Sequence, residues 1–141
     1  MLAKVSSCGL VGIDGFAVGV EIDISAGLPV FETVGLPDAA VKESRERVRS
    51  AIRNSSLEFP GQRITVNLAP ADMKKMGSLY DLPIALGILE ATGQVPAGCM
   101  EGMAMVGELS LDGQVRAVQG VLPMTIQAKQ DGAETMLVPR D

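Results

Sequence analysis

The segment Phe16–Ser25 alternates strictly between apolar and polar residues, and this pattern constrains the fold more than any other feature of the chain. The two sets are Val18, Val20, Ile22 and Ile24 against Gly19, Glu21, Asp23 and Ser25. A period of two is typical of a β-strand with one buried face. Such a strand requires neighbouring strands and an apolar cover, so we expect a sheet with helices packed on it.

The remaining strands and helices are predicted from shorter patterns of the same kind. Further strands are expected at residues 3–11, where an edge strand is predicted, and at residues 30–34, 63–68 and 135–138. Helices are expected at Asp38–Asn54, at residues 81–92 and at Val121–Gln130, with Asp38 as the N-cap of the first. The pair Asp112-Gly113 between two alternating runs predicts a hairpin of residues 103–111 and 114–118.

This order of elements predicts one α+β domain over residues 1–141. We expect a two-layer α/β arrangement in which about three helices pack on a mixed sheet. No further element that could cover the sheet follows the last predicted strand. We therefore expect the chain to be one part of a longer protein.

The chain contains no histidine, which excludes Ser-His-Asp and Cys-His catalysis and the common histidine-based zinc sites. Its two cysteines, Cys8 and Cys99, lie far apart, and two thiols alone do not form a four-ligand zinc site. We predict no metal site and no disulfide, and a cytoplasmic location. Neither a signal peptide nor an apolar run of roughly 18 residues is present, so no membrane contact is expected.

Nucleotide binding is also not expected in this part of the protein. The motif G-x-x-x-x-G-K-[ST] is absent, so the chain has no P-loop, and we predict no cofactor for it. The net charge of −5 argues against a general electrostatic attraction to DNA, although a local basic face remains compatible with it.

One local basic face is predicted on the helix Asp38–Asn54. The lysine and arginine residues of this helix outnumber its two glutamates, Glu43 and Glu46. They form either a solvated face with pairs such as Glu43–Arg47 and Glu46–Arg49, or a contact for DNA or a neighbouring domain. The candidate contact residues, including two lysines of a later loop, are Lys42, Arg45, Arg49, Arg53, Lys74 and Lys75.

Two further chemical interpretations concern the segment before the second helix. Asp81 begins that helix, where an aspartate is either an N-cap or a catalytic carboxylate. Ser78 with Lys74 or Lys75 would form a Ser-Lys dyad if burial lowered the pKa of the lysine. The alternative is that both lysines are solvated, as loop lysines usually are.

Several segments resemble the N-terminal domain of the ComM/YifB family of Mg-chelatase-like AAA+ proteins. They occur in order along most of the chain: Val20–Pro29, Val34–Ala51, Ile64–Asp72, Tyr80–Ala85 and Val106–Val118. The same segments are similar, more distantly, to the proteolytic domain of Lon protease, whose fold resembles ribosomal protein S5 domain 2. This resemblance implies the same fold here.

The Lon resemblance also implies where a serine nucleophile and a lysine base would stand. The place of the serine falls on Asp81, with Ser78 as a weaker rival, and the place of the lysine falls on Leu122. The next lysine, Lys129, stands about 10 Å further along the helix axis at roughly 1.5 Å per residue. We therefore expect no Ser-Lys peptidase activity and no catalytic residue in this chain.

The ComM/YifB resemblance implies a longer protein in which an AAA+ ATPase domain follows this one. That domain would bind ATP and Mg²⁺, assemble as a hexameric ring and act on DNA during recombination and competence. The present chain would be a non-catalytic accessory domain that serves assembly or guides DNA, with the AAA+ domain as its partner. The alternatives are a residual Lon-type Ser-Lys hydrolase and a chelatase-type metal-insertion subunit.

Overall fold

The structure is a computed structural model that describes residues 1–140, and it confirms an α+β fold with a mixed sheet. The strands are β1 (Leu2–Val11), β2 (Asp14–Ser25), β3 (Phe31–Val34), β4 (Arg63–Ala69), β5 (Met103–Met105), β6 (Glu108–Leu109), β7 (Val115–Arg116) and β8 (Thr135–Leu137). The helices are α1 (Ala39–Lys42), α2 (Ser44–Asn54), α3 (Asp81–Ala91) and α4 (Val121–Gln130).

Six strands form the main sheet in the order β3-β4-β2-β1-β5-β8. The strands β1 and β2 form an antiparallel hairpin, whereas β3 runs parallel to β4, and β5 runs parallel to β1 and β8. The prediction of an edge position for the first strand is wrong, because β1 lies between β2 and β5. Among residues 1–140 the edges of this sheet are β3 and β8.

The alternation of β2 directs its apolar side chains into the main core, as predicted. Val20 and Ile22 are fully buried there, together with Val66 and Leu68 of β4. Helices α2 and α3 supply the cover on this face. Helix α3 approaches the sheet closely, since a Cβ atom at Gly87 would lie 2.5 Å from Ile22 Cγ1.

Helix α4 packs against a second, smaller cluster on the other side of β1. Cys8 belongs to this cluster and, by the alternation of a strand, faces away from Val5 in the main core. Met124 and Ala128 are the buried residues of α4. Helices α2 and α3 thus form one layer on the sheet, as the predicted two-layer arrangement requires. Helix α4 packs on the opposite face and adds a partial third layer.

Two predicted elements differ from the structure. The helix predicted at Asp38–Asn54 is divided at Glu43 into α1 and α2, although Asp38 does cap it by accepting the Val41 N–H at 2.8 Å. The predicted hairpin is shorter, because only β6 and β7 pair across Asp112-Gly113. Met103–Met105 instead joins the main sheet, where Ala104 and Met105 are buried.

Within residues 1–140, none of the helices has both the length and the apolar composition needed to cross a lipid bilayer.

Candidate functional site

Asp81, at the place implied for the Lon serine, is fully buried at the start of α3, with 0% of its surface exposed. Its carboxylate accepts hydrogen bonds from Ser44 Oγ at 2.6 Å and from Arg47 Nε at 2.6 Å and Nη2 at 3.1 Å. The Leu109 N–H donates a further bond at 3.0 Å. The N-cap interpretation is wrong, since Tyr80 holds the cap position and the Asp81 side chain bonds no N–H of its own helix.

Arg47 connects this carboxylate to the first helical segment. Its Nη2 also donates to the Ala40 carbonyl at 2.9 Å, and its Nη1 lies 3.8 Å from Glu43 Oε1, as the predicted Glu43–Arg47 pair requires. Hydrogen bonding to Asp81 raises the pKa of Arg47. Arg47 therefore holds a fixed positive charge against Asp81.

The electrostatics of Asp81 are set by two opposing effects. Burial raises the pKa of the Asp81 carboxyl above its ordinary value, and the hydrogen bonds from Arg47, Ser44 and Leu109 oppose this rise. Because both oxygens already accept bonds from protein donors, the carboxylate has no face left for a substrate. The arrangement joins α2, α3 and β6 and serves packing.

Leu122, at the place implied for the Lon lysine, lies in the first turn of α4 and exposes 70% of its surface. Among residues 1–140 the donors to Asp81 belong to α2 and β6, and none belongs to α4. Lys129 is exposed in the last turn of α4. The structure therefore does not bring a lysine of this helix to Asp81.

The two residues of the rival dyad, Lys75 and Ser78, lie in the same loop but bond to different partners. Lys75 is fully buried, and its Nζ donates to the Gly35 carbonyl at 2.8 Å and to the Pro70 carbonyl. The expectation that Lys75 is solvated is wrong, and burial lowers its pKa. Ser78 Oγ donates to a different residue, Glu108. Lys75 is thus neither a base for Ser78 nor a surface contact.

Lys74 remains at the surface, beside the same depression as Ser78. Both residues line an open groove of about 640 Å³, together with Asp38, Tyr80 and Gln119. This groove places a candidate lysine and the candidate serine on one surface.

The other basic candidates form one surface, which we call the basic stripe: Lys42, Arg45, Arg49 and Arg53. Glu46 pairs with Arg45 at 3.2 Å and with Arg49 at 3.6 Å, so the predicted Glu46–Arg49 pair is confirmed. The guanidinium groups of Arg49 and Arg53 lie 5.7 and 5.8 Å from the centre of the Phe59 ring. The stripe faces the edge strand β3.

The sequence interpretation did not identify Phe59, or its stacking partner Phe31, as neighbours of the stripe. Their rings stack with centroids 6.4 Å apart. Phe59 stands in a connecting segment without periodicity, and only its position before Pro60 distinguishes it. No local signal relates such a residue to a helix, so its role is visible only in three dimensions.

A metal centre finds no support in the described part of the chain. Residues 1–140 contain no group of three or more Cys, Asp or Glu side chains placed to hold a metal ion.

Comparisons with known proteins match nearly the whole chain. The family model described as subunit ChlI of Mg-chelatase matches residues 20–141. The protein YifB of Salmonella typhimurium is 47% identical over 131 residues, which is 93% of this chain and 26% of YifB. Competence protein ComM of Haemophilus influenzae is 44% identical over 140 residues, 99% of this chain and 28% of ComM.

A more distant match is to Lon protease 2 of Bacillus subtilis. It is 32% identical over 141 residues, which covers 89% of this chain and 25% of the protease. This similarity agrees with the mixed α/β sheet and supports a Lon-like domain. The chain spans between 25% and 28% of the length of these three relatives.

Proposed function

This chain belongs to the Mg-chelatase ChlI-like family that contains ComM and YifB, and from that premise we propose that it is a non-catalytic accessory domain of an AAA+ ATPase. In the longer protein we infer a cytoplasmic, hexameric motor that uses ATP and Mg²⁺ and acts on DNA during recombination. The domain would serve ring assembly or guide the DNA.

This proposal is supported by the two residues that stand at the positions implied for the Lon serine and the Lon lysine. Asp81 is buried and bonded by Ser44, Arg47 and Leu109, and Leu122 is an exposed aliphatic side chain. Neither side chain can supply a nucleophile or a base in these positions. The chain would thus keep the Lon-like fold without the Ser-Lys catalysis of Lon, since one fold can serve several functions.

The accessory role needs a contact surface, and the exposed or half-buried basic side chains provide the candidates. Lys42, Arg45, Arg49, Arg53 and Lys74 remain available for DNA or for a neighbouring domain. Lys75 is removed from this set, because its ammonium group is bound inside the loop.

The proposal is tested on the full-length protein with and without residues 1–140. We expect the shortened protein to retain ATP hydrolysis and to lose ring assembly or DNA binding, each measured at two salt concentrations. Charge reversal at Arg45 and Arg49 should flatten the salt dependence of DNA binding if the stripe contacts phosphates. Unchanged assembly and unchanged DNA binding after deletion would contradict the accessory role.

A residual hydrolase is the second candidate, favoured only by the groove that Ser78 and Lys74 share. We expect no labelling of the chain by an electrophilic phosphonate, because no lysine of the described residues bonds the Ser78 hydroxyl and Lys74 is exposed. Labelling that disappears in Ser78→Ala would support the hydrolase and overturn the non-catalytic assignment.

A further inference from the structure

The edge strand β3 has a free outer edge. No strand among residues 1–140 pairs with that side. The Ile64 N–H of β4 donates to the Val30 carbonyl at 2.7 Å, so residues 30, 32 and 34 direct their peptide groups toward β4. Because peptide groups alternate in direction along a strand, those of Phe31 and Thr33 point outward. A free edge of this kind is a template for another strand.

The basic stripe lies across a groove from this edge. One part of the groove, of about 390 Å³, is lined by Phe31–Val34, Lys42 and Arg45. A second part, of about 250 Å³, is lined by Phe31, Phe59, Arg49 and Arg53 among others. The two parts share Phe31, and we call them together the β3 groove.

The β3 groove is lined by the four bases of the basic stripe and by one carboxylate, that of Glu32, which pairs with Arg63 at 3.5 Å. Its local charge is therefore positive, although the chain carries a net charge of −5. Arg45 and Arg49 share a single carboxylate, that of Glu46. Lys42 and Arg53 have no carboxylate within 4.0 Å among residues 1–140. An occupant with acidic side chains is therefore complementary to this groove.

The observations favour a protein segment over a nucleic acid. The outward N–H and C=O groups of Phe31 and Thr33 match the main chain of another strand, whereas a phosphate backbone offers no N–H donors to the carbonyl groups. The Phe59 ring is stacked by Phe31 and contacted by Arg49 and Arg53, so it is not free to stack on a base.

We propose that the β3 groove binds an extended acidic segment of a protein, which adds as a strand to β3. Alternate Asp or Glu side chains of that segment would face the basic stripe. From Arg45 to Arg53, both on α2, the stripe spans roughly 12 Å at 1.5 Å per residue, which is about the length of three same-face positions of a strand. The inference rests on the proposed accessory role and names the class of its partner.

The experiment uses a fluorescein-labelled octapeptide of alternating Glu and Val and measures its anisotropy with the 141-residue chain. We expect saturable binding that weakens as salt is raised, and no binding of the alternating Lys and Val peptide. Arg45→Glu with Arg49→Glu should weaken binding about tenfold. The charge-matched control, Arg116→Glu with Lys129→Glu, changes two exposed bases outside the groove and should bind as the parent does.

The strand addition itself is tested at Thr33. Thr33→Pro removes an outward N–H without removing a bond to β4, and we expect about a tenfold loss of peptide affinity. Thr33→Val keeps the N–H and should retain affinity. Circular dichroism melting of both variants checks that each is folded. If Thr33→Pro is folded and binds as Thr33→Val does, strand addition is wrong.

Two other outcomes overturn the proposal. Absence of peptide binding at low salt would do so, and so would tighter binding of a single-stranded oligonucleotide than of the peptide. Self-association of the chain that competes with the peptide would identify a second copy as the occupant and would also overturn it. Phosphonate labelling at Ser78 would contradict the accessory role alone and would leave the peptide result standing.

Discussion

At the residue scale, the position implied for the Lon serine is occupied by Asp81, which forms an ion pair with Arg47. Asp81 is inaccessible to water, and the Arg47 side chain is 21% exposed. Breaking a buried pair by removing one partner costs about 3–5 kcal/mol, because the other charge loses its compensation. Water can still reach part of Arg47, so a value at the lower end is expected here.

We predict that Asp81→Asn lowers the free energy of unfolding by about 3 kcal/mol. The amide keeps the shape of the side chain but turns an NH₂ group toward donors of Arg47, Ser44 or Leu109. Urea unfolding followed by circular dichroism measures the change. Glu43→Gln is the control, because Glu43 is exposed and lies 3.8 Å from Arg47, and it should change stability by less than about 0.5 kcal/mol. Equal effects of the two substitutions would contradict this account of the pair.

At the element scale, the closeness of α3 to β2 depends on the absence of a side chain at one helical position. A Cβ atom at Gly87 would meet Ile22 Cγ1 at 2.5 Å and Val5 Cγ2 at 3.4 Å. Alanine raises helix propensity by about 1 kcal/mol over glycine, whereas overpacking of a core costs about 1–3 kcal/mol. The packing cost exceeds the gain in propensity.

We predict that Gly87→Ala destabilises the domain by about 1 kcal/mol in thermal or urea unfolding. Gly61→Ala is the matched control, because no atom of the described residues outside its immediate neighbours lies within 4 Å of a Cβ atom there. The control should be neutral or stabilising by up to about 1 kcal/mol, since alanine restricts the unfolded chain. Stabilisation by Gly87→Ala would show that α3 does not approach the sheet this closely.

At the scale of the whole molecule, helices on both sides of β1 enclose the centre of the sheet. Cys8 lies under α4, where its thiol donates to the Met124 carbonyl at 3.4 Å. Burial, with a smaller contribution from Asp131, raises the pKa of the Cys8 thiol to about 11. Cys99, in contrast, is exposed.

We predict that one of the two thiols reacts in the native protein near neutral pH and that the second reacts only on unfolding. The thiolate is the reactive form, and a raised pKa makes it scarce at Cys8. Counting thiols with a chromogenic disulfide, before and after adding denaturant, measures this difference. Cys99→Ser should abolish the fast reaction. Two equally fast thiols in the native chain would contradict the packing of α4.

From the sequence alone, elements with their own periodicity could be predicted. The alternation of β2, the apolar run of α3 and the Asp38 cap depend on neighbouring residues, and each was identified with nearly the observed bounds. The family resemblance added the fold and the two implied catalytic places, which no local pattern contains.

Only the tertiary structure decided which surfaces these elements present. Position within a sheet depends on long-range pairing, so β1 was expected at an edge and is internal. Burial of a charge depends on groups distant in sequence: Lys75 is held by the carbonyl groups of Gly35 and Pro70, and Asp81 is held by Arg47. The β3 groove likewise arises because folding brings a helix face and a strand edge together.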